Sequence, residues 1–288
     1  MPLELIEDAK GDIRNCRVLA VASNLAYLPE PAGVDGFRSQ LGLEARCLGA
    51  GSTQAYVATN ENHIVAAFRG TRSPNSLDGL RDCLLTDAAD LLILPEGDLG
   101  TDFVAAGVGA KFHMGFIRAL AAIWDPLFAA VDAERKQNDR PIWITGHSLG
   151  GALAMLAAWR FKRKFVPVHQ IYTFGAPMIG NNLAAEAFDR EFPDRVFRYV
   201  NFPDPVPKLP TVSLIANHYC HCGKEMMLGA VAAGGAATDF FKQLAGKTLD
   251  GILNATLIDD IWKGMQDRMS AHFLDNYQKL IGERPKET

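Results

Sequence analysis

A chain of 288 residues with 48% hydrophobic and 22% charged side chains can fill a globular core and is too apolar to stay disordered. Its 29 basic and 33 acidic residues leave a formal charge of −4, so no basic field invites nucleic acid. No window reaches the ~18–20 apolar residues of a transmembrane segment, and the acidic, polar start around Glu4, Glu7, Asp8 and Asp12 lacks the basic-then-apolar pattern of a secretory leader.

In chain order, residues 1–50 read as an N-terminal helical extension, with a helix over Val18–Leu28 followed by turns at Pro29, Pro31, Gly33 and Gly36. Ala55–Thr59 and Ile64–Phe68 read as a hairpin about the polar turn Asn60–Asn62. Residues 73–112 read as an irregular insertion with a short helix near Asp78–Ile93 and a glycine-rich stretch at Gly97–Gly109. Phe116, Ile117, Leu120, Ile123, Trp124, Leu127, Phe128 and Val131 then recur at helical spacing and predict one amphipathic helix whose apolar stripe is core. Beyond it come a strand at Ile142–Thr145, a helix from about Ala152 to Phe165, a strand at His169–Phe174, a helix at Leu183–Phe192 and strands at Val196–Asn201 and Leu214–Cys222. The remainder reads as helical, ending in Ile258–Ile281. Strands alternating with helices predict an α/β protein with a mainly parallel central sheet and helices on both faces. No linker divides the chain, so 1–288 reads as a single domain.

The strongest chemical signal is Gly146-His147-Ser148-Leu149-Gly150, placed between a predicted strand and a predicted helix. A serine at such a turn is thrust into the open, the flanking glycines let strand and helix pass closely, and the helix aims its positive end at charge developing there. A serine nucleophile needs a base, a group to orient that base, and donors for an oxyanion. In this architecture the order is serine, acid, histidine. Asp204, just past a strand and flanked by Pro203 and Pro205, suits the acid better than Asp189 or Asp194, which belong to a helix and its exit. Only His218, His221 and His272 follow it. The first two fall in a predicted strand, where an imbalance of reach keeps an imidazole from turning to a strand-end serine. His272 lies beyond the last strand but inside a helical pattern that runs through Ile258–Leu280. His147 reads as a packed neighbour of the serine, and Arg69 as a structural ion-pair partner. His218, Cys220, His221 and Cys222 crowd into five positions and cannot close a tetrahedral metal site, so no metal is expected. The five cysteines, an odd number, do not read as a disulfide framework.

Phe68-Arg69-Gly70-Thr71, His113-Met114-Gly115-Phe116, Ile144-Thr145-Gly146-His147-Ser148-Leu149-Gly150-Gly151-Ala152, Thr173-Phe174-Gly175-Ala176-Pro177 and Asn201-Phe202-Pro203-Asp204-Pro205-Val206-Pro207 occur in this order. Together they resemble the class 3 lipases, the α/β-hydrolase family that includes the fungal triacylglycerol lipases, over about residues 54–285. That resemblance implies Ser148 as nucleophile, Asp204 as triad acid and His272 as base, with Thr71 and Leu149 supplying the oxyanion-hole N–H groups. It implies a lid within 73–112, a lipid or ester substrate, contact with a lipid surface, and no cofactor. A phospholipase A1, a small-ester carboxylesterase, or a non-catalytic relative that binds lipid or a partner are the alternatives it leaves.

Overall fold

The computed structural model describes residues 4–71, 92–93, 97–208, 219–229 and 268–283. Helices α1 (Ile13–Leu25) and α2 (Glu30–Gly36) lead into strands β1 (Glu44–Ala50), β2 (Thr53–Thr59) and β3 (Ile64–Phe68). Next come β4 (Leu92–Ile93), α3 (Gly97–Val104), β5 (Phe112–His113), α4 (Met114–Ala121) and α5 (Trp124–Gln137). The centre of the chain is β6 (Ile142–His147), α6 (Leu149–Arg163), β7 (Gln170–Phe174), β8 (Gly180–Asn181), α7 (Asn182–Glu191) and β9 (Val196–Asn201). β10 (Tyr219–Cys220), β11 (Lys224–Leu228) and α8 (Leu274–Glu283) follow.

Among the described residues, seven strands form the main sheet in the order β1-β2-β3-β6-β7-β9-β11. β3, β6, β7, β9 and β11 run parallel, and β2 runs against both of its neighbours. The inner parallel strands are buried along their whole length, which is why they read as nearly unbroken apolar runs. In β6, Ile142 and Ile144 enter the core beneath α4, α5, α6 and α7, while Trp143 enters the opposite core beneath α1 and α8. α6 lies against the sheet on Gly150, Gly151, Ala152, Ala154, Ala157 and Ala158, side chains small enough for a close approach. On the other face α1 and α8 are tied together. Gln278 Nε2 donates to the Ala20 carbonyl at 3.2 Å, Asn24 Nδ2 to Gln278 Oε1 at 3.5 Å, and Arg17 Nη2 to the Ile281 carbonyl at 3.4 Å. A small antiparallel sheet in the order β10-β8-β5-β4 sits apart from the main one.

Several elements differ from the expectations drawn from sequence. The helix expected across Phe116–Val131 is two helices, α4 and α5, bent by 61°. Pro126 explains the break: it has no N–H to continue the ladder, so a new helix must start just before it and place it in the first turn. Glu44–Ala50, within the expected helical extension, is an edge strand, and α1 is core rather than an appendage. The strand expected over Leu214–Cys222 is only Tyr219–Cys220 among the described residues, and it belongs to the small sheet; the main sheet is closed instead by β11. The final helix is interrupted, because Phe273 is extended (φ −61°, ψ 133°) between a short 3₁₀ turn at Met269–His272 and α8. Of the helix expected near Asp78–Ile93, Leu92–Ile93 is strand and the rest lies outside the described residues. The glycine-rich stretch contains α3, whose Asp102 is buried against α6. Asp102 Oδ2 accepts from Arg160 Nε at 3.0 Å, its carbonyl accepts from Trp159 Nε1 at 2.7 Å, and the Arg160 guanidinium lies 4.0 Å over the Trp124 ring. The downstream foot of the 73–112 insertion is thereby fixed to the scaffold.

Candidate active site

β6 runs out at His147, and α6 begins at Leu149, so Ser148 alone makes the turn between them, at φ 58° and ψ −131°. For a residue with a Cβ this backbone costs on the order of 1–3 kcal/mol. It is held from both sides: the Ser148 N–H donates to the Phe174 carbonyl and the Ser148 carbonyl accepts from Gly151 N, each at 2.9 Å. The glycines of the motif are sterically required. A Cβ on Gly146 would lie 2.2 Å from the Gly150 carbonyl oxygen, and one on Gly150 would lie 2.2 Å from that of Phe68. The amide of Leu149, at the first position of α6, has no intrahelical acceptor and carries the positive end of the helix dipole.

Thr71 reaches the same place through the sheet. β3 and β6 pair in parallel with Phe68 opposite Gly146, so Thr71 and Ser148 lie three and two residues beyond that facing pair at the ends of neighbouring strands. Gly70 keeps the two segments in contact, since a Cβ there would stand 2.9 Å from the His147 carbonyl oxygen. Arg69, expected in an ion pair, donates to Gln54 Oε1 at 2.9 Å and to the Ser52 carbonyl at 2.6 Å, bracing the end of the β2–β3 hairpin.

Asp204 follows β9 in a turn closed by its own N–H on the Asn201 carbonyl at 2.9 Å. It is 0% exposed. Its Oδ1 accepts from Val206 N at 2.8 Å, and its Oδ2 accepts from His272 Nδ1 at 2.7 Å and from the Tyr277 hydroxyl at 2.6 Å. Burial and the neighbouring carboxylate push the Tyr277 phenol well above its usual range, so it stays protonated and donates. Its oxygen in turn accepts from Asn201 N at 3.1 Å. With Nδ1–H given to Asp204, the neutral ring of His272 has its lone pair on Nε2, and that buried atom has no hydrogen-bond partner among the described residues. The break at Phe273 puts His272 in a turn rather than on a continuous helix, and the two carbonyls of that turn are gripped from the sheet. Asn201 Nδ2 donates to Ala271 O at 2.9 Å, and His147 Nε2 donates to His272 O at 2.7 Å.

The other candidates sit elsewhere. His221 gives its Nε2–H to the Pro207 carbonyl at 2.5 Å, and burial together with Arg198 pushes it down to about 3. His218 lies outside the described residues. Asp189 accepts from Gly223 N at 2.6 Å, and Asp194 is an exposed turn residue with φ 55°. His147 is buried and hydrogen-bonded, with its ring centroid 4.6 Å from that of His272.

Two supporting residues received no role from the sequence. Tyr277 is one; its signal is the spacing His272-x(4)-Tyr277, which is part of the resemblance to the class 3 lipases. Gly175 is the other. It has φ 57°, and a Cβ on it would stand 2.7 Å from Asp204 Oδ2, 2.9 Å from the Tyr277 hydroxyl and 3.0 Å from His272 Nδ1. Gly175→Ala is therefore expected to pry Asp204 and His272 apart. Turnover of a soluble ester should fall by ~100-fold or more, the scale of a 1 Å misplacement, with the circular dichroism spectrum retained. Wild-type turnover in a folded Gly175→Ala variant would refute this account of the site.

The family model described as lipase (class 3) matches residues 65–214. The secreted mono- and diacylglycerol lipase 1 of Fusarium solani is 33% identical over 159 residues, covering 55% of this chain and 44% of that protein. The chloroplastic phospholipase A(1) DAD1 of Arabidopsis thaliana is 32% identical over 161 residues, covering 52% of this chain and 34% of that protein. The chain thus spans less than half the length of either relative. Among solved structures, a triacylglycerol lipase whose catalytic centre is described as a serine protease triad superposes with a TM-score of 0.56 at 25% identity, over 76% of this chain and 80% of that one.

Proposed function

The chain belongs to the class 3 lipase family and has the α/β-hydrolase fold, and from this we propose that it is a serine hydrolase of carboxylic esters, with acylglycerols as the substrate class. The observation that carries the reading is the buried His272 Nδ1–Asp204 Oδ2 bond of 2.7 Å beside the strained turn at Ser148. In this reading His272 Nε2 takes the proton of Ser148 Oγ as that oxygen attacks the ester carbonyl carbon. Asp204 stabilises the imidazolium that forms, with Tyr277 and Val206 N supporting the carboxylate. The carbonyl oxygen, now negative, is met by the N–H groups of Thr71 and Leu149, each such donor being worth ~3 kcal/mol in the transition state. The C–O bond to the alcohol breaks as the alcohol takes the proton from His272. Water then repeats the sequence on the acyl-enzyme, releasing the carboxylic acid and restoring Ser148. We place the whole of 1–288 in one domain, with a lid in the 73–112 insertion that meets the lipid surface.

A phospholipase A1 activity is the second reading, favoured by the 32% identity to the Arabidopsis thaliana enzyme. The test is a comparison of fatty-acid release from emulsified di- and triacylglycerol, phospholipid vesicles and p-nitrophenyl esters. Release is expected to be fastest from acylglycerol. Preference for phospholipid would select the second reading, and no hydrolysis of any of them, with Ser148 inert to a fluorophosphonate, would reject both.

A further inference from the structure

His147 and Tyr27 form an arrangement that the triad itself does not use. His147 is buried, and its Nε2 stands 2.7 Å from the carbonyl oxygen of His272. A carbonyl oxygen only accepts, so Nε2 bears the hydrogen and the neutral ring leaves Nδ1 bare. The Tyr27 hydroxyl, 2.8 Å from Nδ1, donates to it. That phenolic oxygen packs so tightly on Gly70 that a Cβ there would stand 2.1 Å away. The two bonds, from Tyr27 to His147 and from His147 to His272, point the same way, so each polarises the next. They connect the turn after α1, the residue before Ser148, and the backbone of His272.

We propose that His147, its tautomer set by Tyr27, is a positioning residue for His272. It holds the base from the strand end that presents the nucleophile, while Asn201 holds the adjacent carbonyl from the strand that leads to the acid. The proposal rests on the reading of Ser148, Asp204 and His272 as a triad. The groups facing the His147 ring are Tyr27, Tyr277 and His272, with Asp204 on the far side of His272. None of them stabilises a positive charge on His147, and an imidazolium on His272 opposes one. Burial first, and the charge of His272 second, hold His147 well below the ordinary histidine range. It stays neutral while His272 cycles. Without the Tyr27 hydroxyl neither neutral tautomer fits. With the hydrogen on Nε2, Nδ1 is buried and unmet; with it on Nδ1, a bare Nε2 faces the lone pairs of the His272 carbonyl.

The test uses the full chain labelled with ¹⁵N-histidine. Long-range ¹⁵N–¹H correlation is expected to show His147 as the Nε2–H tautomer, without titration from about pH 5 to 9. Tyr27→Phe should lower kcat on a soluble ester about tenfold, the worth of one buried hydrogen bond, with KM within about twofold. His147→Phe should lower kcat further, to about a hundredth. His147→Gln, whose amide can point N–H at His272 and oxygen at Tyr27, should recover most of that loss and guards against a mere failure of the Phe variant to fold. An Nδ1–H tautomer, titration of His147 within that range, or wild-type kcat in folded Tyr27→Phe and His147→Phe would overturn the proposal. Failure of the wild type to take a fluorophosphonate on Ser148 would instead overturn the triad reading, and this one with it. Labelling of both variants at the wild-type rate would leave the triad standing and remove only the positioning role.

Discussion

Ser148→Ala is expected to lower ester turnover by roughly 10⁶-fold, the scale at which loss of a nucleophile collapses a triad that acts as a unit. The same variant should keep its melting temperature to within about 2 °C, because the hydroxyl makes no capping bond to α6 and the contacts that fix the turn are backbone ones, from Ser148 N to Phe174 O and from Gly151 N to Ser148 O. Ser148→Gly should be equally inactive but more stable, by about 1 kcal/mol, since glycine removes the strain of φ 58°. Thermal unfolding and turnover of the purified variants check both halves. Residual hydrolysis above about 1% in either would remove Ser148 from the nucleophile's role.

His272→Ala is expected to lower turnover by at least about 10⁴-fold, because its Nδ1 is committed to Asp204 and its buried Nε2 has no hydrogen-bond partner among the described residues, as a base for Ser148 requires. His221→Ala provides the contrast. Its imidazole is committed to the Pro207 carbonyl, so truncation frees the backbone just beyond Asp204 and costs about 1–3 kcal/mol of stability with little loss of turnover. The decisive measurement is the rate of fluorophosphonate labelling in the two folded variants. Slow labelling of His221→Ala with normal labelling of His272→Ala would transfer the role of base to His221.

The parts of this molecule that sequence made visible are those where burial acts on consecutive residues. β6, β7 and β9 are covered on both faces, and their residues form apolar runs that end at the glycines and prolines around Ser148 and Asp204. Edge strands carry no such constraint. β1 alternates half-buried with exposed positions, and β11 is Lys224-Glu225-Met226-Met227-Leu228, so neither stands out from a polar helix or loop. The α4–α5 break was invisible to periodicity because Ile123 and Trp124 keep the apolar stripe running through the bend; only Pro126 betrays it. At the site, Ser148 announces itself through steric rules that act within five residues. His272 does not, since its placement depends on Asn201 and His147 gripping two carbonyls across the fold. Tyr27 was hidden for the same reason, and Tyr277 showed only as a spacing after His272 with no role attached: a phenol's value here lies wholly in partners far away in the chain.

The clasp between α1 and α8 sets the order in which this fold can come into being. Its hydrogen bonds join residues 254 and 258 positions apart, and α8 carries the tyrosine that holds Asp204. Contacts of such separation form late, because the loop entropy of closing them must be met before they contribute anything in return. Until α8 arrives, the sheet can be built and Ser148 can be set in its turn while one apolar face stays open and Asp204 lacks two of its donors. On the proposed reading, a chain still being synthesised therefore holds a nucleophile with no base to activate it. Reactivity toward esters is then expected to switch on in a single late docking event, and the exposed face that waits for that event is where misassembly competes with folding.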